Sequence, residues 1–149
     1  MNSVQIRLVQ DSFRQVAPMA EAAAGLFYAR LFELDPDLRS LFKGDMSEQG
    51  RRLMQMLGLA VKSLDRPEQL LPALRALGAR HVAYGVREKD YDTVGRALLW
   101  TLRQGLGDAF TPEVEAAWAE VYATLAAAMQ GGAVPGPQAA APAYSRPQA

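Results

Sequence analysis

The sequence predicts an all-α fold of six or seven helices of uneven length. Apolar residues recur at steps of three and four along most of the chain, which is the spacing of one face of a helix. No stretch shows the alternation of β-branched and polar residues that is typical of a strand. Proline and glycine stand between the periodic segments, where they end one helix and begin the next.

The first half of the chain contains three periodic segments. Apolar steps run through residues 6–16, and Pro18 interrupts them. A second run covers residues 20–34 and stops at Asp35-Pro36, because the residue before a proline avoids the α region. After a short turn, a third helix is predicted over about 46 to 65. Its apolar face consists of Leu53, Leu57, Ala60 and Leu64.

Three further helices are predicted in the second half. One covers about 68 to 83 after Pro67, and Gly85 is expected to stop it. Another is marked by Tyr91, Val94, Leu98 and Leu102 and closes around "GLGDAF". Thr111-Pro112 predicts the start of the last helix, which runs to about 130, since threonine is a common N-cap and proline suits the first helical position.

The length and composition predict one domain, residues 1–130, followed by a flexible tail at 131–149 that is rich in Ala, Pro and Gly. Sixteen basic residues balance 16 acidic ones, so the charge does not indicate binding to nucleic acid or to an anionic membrane. The chain has no cysteine, which excludes disulfides, thiolate metal sites and a cysteine nucleophile. Without a signal peptide or a membrane-length apolar run, we expect a cytoplasmic protein.

The only histidine, His81, stands on an apolar face with Leu70, Leu74 and Leu77. Gln49 borders the Leu53 face of the preceding helix in the same way. A buried imidazole or amide without a partner costs about 1–3 kcal/mol. His81 is therefore either a core residue bonded to a backbone carbonyl or a ligand. Gln49 is either a core residue or a residue of the capping turn that faces solvent.

Common catalytic and metal motifs are missing. The sequence has no GxSxG, P-loop, HExxH or glycine-rich dinucleotide turn. A single histidine without cysteine cannot build an ordinary zinc site. One imidazole can, however, serve as the axial ligand of a porphyrin, which supplies four nitrogens itself.

Four segments resemble the single-domain bacterial haemoglobins related to flavohaemoglobins: "GLFYARLFELDPDLRSLF", "EQGRRLMQMLG", "LGARHVAYGV" and "YDTVGRALLWTL". The resemblance covers about residues 4 to 130 and implies a globin fold around one haem b. It implies that His81 is the proximal iron ligand and that Phe42 packs on the haem face. Tyr28 and Gln49 match the distal pair. The other positions assigned to the haem pocket are Leu53, Leu57, Leu77, Val86 and Val94.

On the proximal side the sequence departs from the flavohaemoglobin class. There, a glutamate in the last helix and a tyrosine hydrogen-bond the proximal histidine. Tyr91 matches the tyrosine, but Ala133 stands at the position of the glutamate, fifteen residues after Trp118. We therefore expect the second ring nitrogen of His81 to bond to a backbone carbonyl such as that of Leu77. A proximal histidine without the carboxylate donates less electron density to the iron, which favours reversible oxygen binding over peroxide chemistry.

Two arginines flank the apolar stripes. Arg52 and Arg80 either pair with the haem propionates or are solvated surface residues.

The resemblance implies reversible oxygen binding for storage or delivery, with O₂, CO and NO as gaseous ligands. The Tyr28 hydroxyl and the Gln49 amide can both donate to a bound ligand that carries negative charge. Because an amide is a poor iron ligand, a five-coordinate ferrous haem with an open sixth site is expected. The alternative is a nitric oxide dioxygenase that works with a separate reductase, since only nineteen residues follow residue 130. A gas sensor or a haem-free interaction module fits less well, because a sensor needs an output domain.

Overall fold

In a computed structural model, residues 1–131 are described, and they form six α-helices joined by short connections. The helices are α1 (Ser3–Val16), α2 (Ala20–Leu34), α3 (Met46–Lys62), α4 (Pro67–Ala83), α5 (Glu88–Leu106) and α6 (Pro112–Met129). Short 3₁₀ segments occupy Ala17–Met19, Pro36–Leu41 and Gly107–Ala109. No strand occurs in this part of the chain, which confirms the all-α prediction. Except for residue 131, the predicted tail lies outside the described residues.

Side-chain caps explain where several helices begin. The Asp45 carboxylate accepts a hydrogen bond from the backbone N–H of Ser47 at 2.9 Å, at the start of α3. The Thr111 hydroxyl accepts one from the backbone N–H of Val114 at 3.2 Å, at the start of α6. The predicted Thr111-Pro112 start is therefore confirmed.

The helix ends follow the predicted breaks, with one correction. Asp35 is extended, as a residue before proline prefers, and α2 stops at Leu34. Gly85 has a φ of 96°, which favours glycine, and it follows the end of α4. The prediction that α3 reaches about residue 65 was wrong, because the backbone N–H of Leu64 bonds to the carbonyl of Val61 and begins a turn after Lys62.

Helix packing does not bring together α3 and α4, the helices that carry Gln49 and His81. The main contacts join α2 to α5, α1 to α6, α2 to α3 and α4 to α6. The consecutive helices α3 and α4 do not pack against each other along their length. On the faces that carry Leu53, Leu57 and Leu77, these apolar side chains are only half-buried.

Two glycines allow the close helix crossings that place the site. A Cβ at Gly50 on α3 would lie 2.9 Å from the Cβ of Ala24 on α2. A Cβ at Gly78 on α4 would overlap the carbonyl oxygen of Met129 at the end of α6. These contacts set the position of α3 against α2 and of α4 against α6.

The centre of the core is anchored on Trp118. This side chain is buried on α6, and its indole N–H donates to the hydroxyl of Ser12 on α1 at 2.8 Å. The same buried core also contains Val9, Val16, Phe27, Leu31, Leu102 and Val121. In residues 1–131 no helix combines the length and apolar character needed to cross a membrane.

Candidate functional site

His81 lies in the last turn of α4 and is half-buried. Its Nδ1 is 2.9 Å from the carbonyl oxygen of Leu77, one helical turn earlier, as the sequence predicted. Because a carbonyl only accepts, Nδ1 carries the proton and Nε2 carries the lone pair. No described residue hydrogen-bonds Nε2.

The surroundings of His81 favour its neutral form. Burial lowers the pKa of the imidazole, and the charge of Arg80 lowers it further, while the Leu77 hydrogen bond opposes both effects. A neutral imidazole with a free Nε2 is the form that binds a metal.

Two tyrosines flank the imidazole. The ring of Tyr91, in the first turn of α5, is stacked on His81 with 6.5 Å between centroids and 26° between planes. The ring of Tyr84 lies at the same distance but is tilted by 47° and is largely exposed. Burial raises the pKa of Tyr91, and the charge of Asp90 raises it further.

Tyr122 on α6 was not singled out from the sequence, yet it contacts this site. Its hydroxyl donates to the carbonyl oxygen of Tyr91 at 2.7 Å. Its ring lies against Gly95, where a Cβ would come within 2.8 Å of it. Tyr122 lies four residues after Trp118 on the buried face of α6, so a polar atom on an apolar stripe was the signal that could have found it.

Tyr28 is buried on α2 among aromatic rings. The ring of Phe42 meets it edge-on at 5.2 Å, and the ring of Phe32 is stacked at 6.0 Å. Phe27 also meets it edge-on, at 5.1 Å. Burial raises the pKa of Tyr28 to about 12, so the hydroxyl remains a hydrogen-bond donor at neutral pH.

Gln49 lies near Tyr28, but its side chain is turned toward the preceding loop. The Tyr28 hydroxyl donates to the backbone carbonyl of Gln49 at 3.5 Å. The Gln49 amide donates to the carbonyl of Lys43 at 3.4 Å. The two side chains of the expected distal pair are therefore neighbours without a hydrogen bond between them.

The apolar stripe that carries His81 is buried only in its first half. Leu70 and Leu74 are each 5% exposed, whereas Leu77 and His81 are half-buried. The same holds for every other residue that the sequence assigned to the cofactor pocket: Phe42, Leu53, Leu57, Val86 and Val94 are half-buried. The assigned residues thus retain apolar surface on and around the helices α3 and α4, which do not pack together.

The two arginines considered for propionates are both exposed. Arg52 forms an ion pair with Glu48 at 2.9 Å on the surface of α3. Arg80 forms no ion pair within residues 1–131. Ala133, which replaces the glutamate of the resembled class, lies outside the described residues.

A separate groove has a volume of about 710 Å³ and is formed by residues of α1, α2 and α3 with their connections. Tyr28 and Phe32 contribute to its wall, but no residue of α4 does. The groove is therefore distinct from the surroundings of His81.

The donor set around His81 fits a metal that brings most of its own ligands. No cluster of three or more His, Cys, Asp or Glu side chains suited to a metal occurs in the described part of the chain. One neutral imidazole beside half-buried apolar surface matches the needs of a flat, largely apolar macrocycle that takes a single axial ligand.

Comparison with known proteins identifies the family. The globin family model matches residues 25–129. The chain is 36% identical over 109 residues to a flavohemoprotein of Rhizobium meliloti (strain 1021), an alignment that covers 70% of this chain and 27% of the relative. It is 37% identical over 109 residues to a flavohemoprotein of Chromobacterium violaceum, which covers 70% and 27% of the two chains. A flavohemoprotein of Bordetella parapertussis is 36% identical over 131 residues, or 85% of this chain and 32% of the relative.

The matched region spans less than a third of the length of each of these relatives. The family model itself covers most of this chain, including α3, α4, α5 and α6 in full. The chain therefore belongs to the globin family, and its cofactor is haem b.

Proposed function

We propose that this protein binds dioxygen reversibly for storage or delivery, with His81 as the proximal ligand of haem. The observation that carries the proposal concerns the Nε2 of His81, which no residue of 1–131 hydrogen-bonds. The contact of Nδ1 with Leu77 holds the ring in the neutral, metal-binding tautomer. Haem, when bound, supplies the iron at which O₂, CO or NO binds.

Six apolar residues hold the macrocycle and exclude water in this proposal. Phe42, Leu53, Leu57, Leu77, Val86 and Val94 are the residues proposed for this role. Apolar surface that a cofactor covers contributes about 25 cal/mol per Å² removed from water. A dry pocket also strengthens any hydrogen bond made to a ligand inside it.

Tyr28 supplies a hydrogen-bond donor on the distal side. Its hydroxyl stays protonated at neutral pH, and its contact with the Gln49 carbonyl is long, at 3.5 Å. A long hydrogen bond is weak, so the hydroxyl can exchange it for a better acceptor at little cost. A donor aimed at a ligand with negative charge contributes about 0.5–1.5 kcal/mol, or roughly two- to tenfold in the rate of release.

Gln49 can supply a second donor only if its amide leaves the Lys43 carbonyl. That contact is 3.4 Å long, and a rotation of the side chain is enough to break it. We assign Gln49 to the distal side on its position beside the Tyr28 hydroxyl.

A second candidate is a nitric oxide dioxygenase that takes electrons from a separate reductase. The similarity to flavohemoproteins favours it, and the same pocket would serve. Stopped-flow mixing of the oxygenated protein with NO, in the presence of a generic reductase, separates the two functions. A single stoichiometric burst supports oxygen binding as the function, whereas sustained turnover supports the dioxygenase.

The absorption spectrum of the reduced protein tests the proposal. With no ligand added it should show a five-coordinate haem, and O₂ and CO should each give a distinct, reversible change. A spectrum of a haem with two nitrogenous axial ligands in the reduced protein would contradict it.

A further inference from the structure

Tyr122 connects the core of the protein to the proximal side of the site. It lies on α6 one turn after Trp118, whose indole is fixed to Ser12 of α1. Its hydroxyl reaches across to α5 and donates to the carbonyl of Tyr91 at 2.7 Å. This bond has the usual length of an O–H···O hydrogen bond, is half-buried, and links residues 31 positions apart in the chain.

The ring of Tyr91 lies between this hydrogen bond and His81 in the chain of contacts. Its plane lies within 26° of the plane of the His81 ring, with 6.5 Å between the centroids. The hydroxyl of Tyr91 makes no hydrogen bond within the described residues, so Tyr91 acts on the imidazole through its ring.

The imidazole needs this second constraint. The Leu77 carbonyl holds only one edge of the ring, at Nδ1, and the ring can pivot about that contact. The Tyr91 ring limits the pivot from one side. We propose that Tyr122 is a positioning residue for the proximal ligand: by fixing the Tyr91 backbone, it sets the orientation of the His81 imidazole in the site.

This inference rests on the proposed function, in which Nε2 of His81 binds the haem iron. In the resembled class the orientation of the histidine is set by a hydrogen-bonding carboxylate. Here residue 133 is alanine, and among the described residues His81 meets the Leu77 carbonyl and the rings of Tyr84 and Tyr91. The orientation would then be controlled by packing, without a negative charge on the imidazole.

The test uses the haem-loaded, reduced protein and its iron–histidine stretching line in the resonance Raman spectrum. Tyr122→Phe removes the hydroxyl and keeps the ring. Gly95→Ala displaces the same ring, since its Cβ would come within 2.8 Å of it, and keeps the hydroxyl. Tyr84→Phe is the matched control, because the Tyr84 ring lies as far from the His81 ring as the Tyr91 ring does, and its hydroxyl makes no hydrogen bond with residues 1–131.

We expect the line to shift and broaden in Tyr122→Phe and in Gly95→Ala and to stay in place in Tyr84→Phe. Haem transfer to an acceptor globin should become severalfold faster in the first two variants only. A line in Tyr122→Phe that coincides with wild type, or an equal shift in Tyr84→Phe, would overturn the proposal. Failure of the proposed function at its central point, His81 as the ligand of the iron, looks different: the wild-type spectrum would then contain no iron–histidine line at all.

Discussion

The Nδ1 of His81 lies 2.9 Å from the carbonyl oxygen of Leu77, four residues earlier on the same helix. A carbonyl is a neutral acceptor, and it orients the imidazole without making it as electron-rich as a carboxylate would. This arrangement supports the proposal that His81 is the proximal ligand in a protein that binds oxygen reversibly. It also ties the tautomer of the histidine to the geometry of α4 itself.

Tyr28→Phe should speed the release of oxygen. The variant removes the buried donor and keeps the ring in its contacts with Phe32 and Phe42. Losing one hydrogen bond to the ligand should raise the dissociation rate about two- to tenfold. Stopped-flow displacement of oxygen by CO measures this rate. The exposed Tyr84→Phe serves as the control, and an unchanged rate in Tyr28→Phe would remove Tyr28 from the mechanism.

Gln49→Leu should also speed the release of oxygen, by about two- to tenfold, if the amide turns from Lys43 to the ligand. Its effect on the free energy of unfolding should be small, because the 3.4 Å contact with the Lys43 carbonyl is long and exposed. A variant with normal oxygen release but altered stability would assign Gln49 to the turn before α3 alone.

The stability of the protein should fall at high pH because of Tyr28. Burial raises the pKa of its hydroxyl from 10.0 to about 12, so the folded protein holds this proton more tightly than the unfolded chain does. The resulting stabilisation, on the order of 2 kcal/mol, is fully present below pH 10 and is lost as the pH rises to about 12.

Urea unfolding of wild type and Tyr28→Phe across that range measures the effect. Burial also raises the pKa of Tyr122, but that residue is present in both proteins and its contribution cancels. The free energy of unfolding of wild type should fall more steeply. Parallel curves would mean that Tyr28 titrates like an exposed tyrosine.

Gly78→Ala should destabilise the fold, whereas Gly25→Ala should not. A Cβ at Gly78 would overlap the backbone of Met129 and force α4 away from α6, at a cost of about 1–3 kcal/mol. A Cβ at Gly25 meets nothing within 4 Å, and alanine is the better helix former by up to about 1 kcal/mol. Thermal unfolding should therefore shift in opposite directions, and a common shift would argue against the close crossing of α4 and α6.

Much of the fold followed from local patterns in the sequence. The segment about 68 to 83 was expected to be a helix, and α4 is Pro67–Ala83. The prediction succeeded because apolar spacing, Pro67 and Gly85 determine the helix and its ends through neighbouring residues alone. The end of α3 was placed too late, since the turn after Lys62 depends on backbone hydrogen bonds that leave no mark in the spacing of side chains.

Of the candidate site, the sequence predicts only which residues share a helix face. Helical spacing put His81 beside Leu77, and the bond between them needs no tertiary contact. The same spacing could not show that the Gln49 amide reaches back to Lys43, because a helix face does not specify a rotamer. Nor could it show that Tyr122 meets Tyr91, since that contact depends on how α5 and α6 pack.

Titration of hemin into wild type and His81→Ala, followed at the Soret band, tests the central claim most directly. If His81 is the sole protein ligand of the iron, wild type should give the sharp band of a bound haem. The variant should bind hemin far more weakly and recover the wild-type band when imidazole is added. A His81→Ala protein that keeps the affinity and the spectrum of wild type would contradict the account.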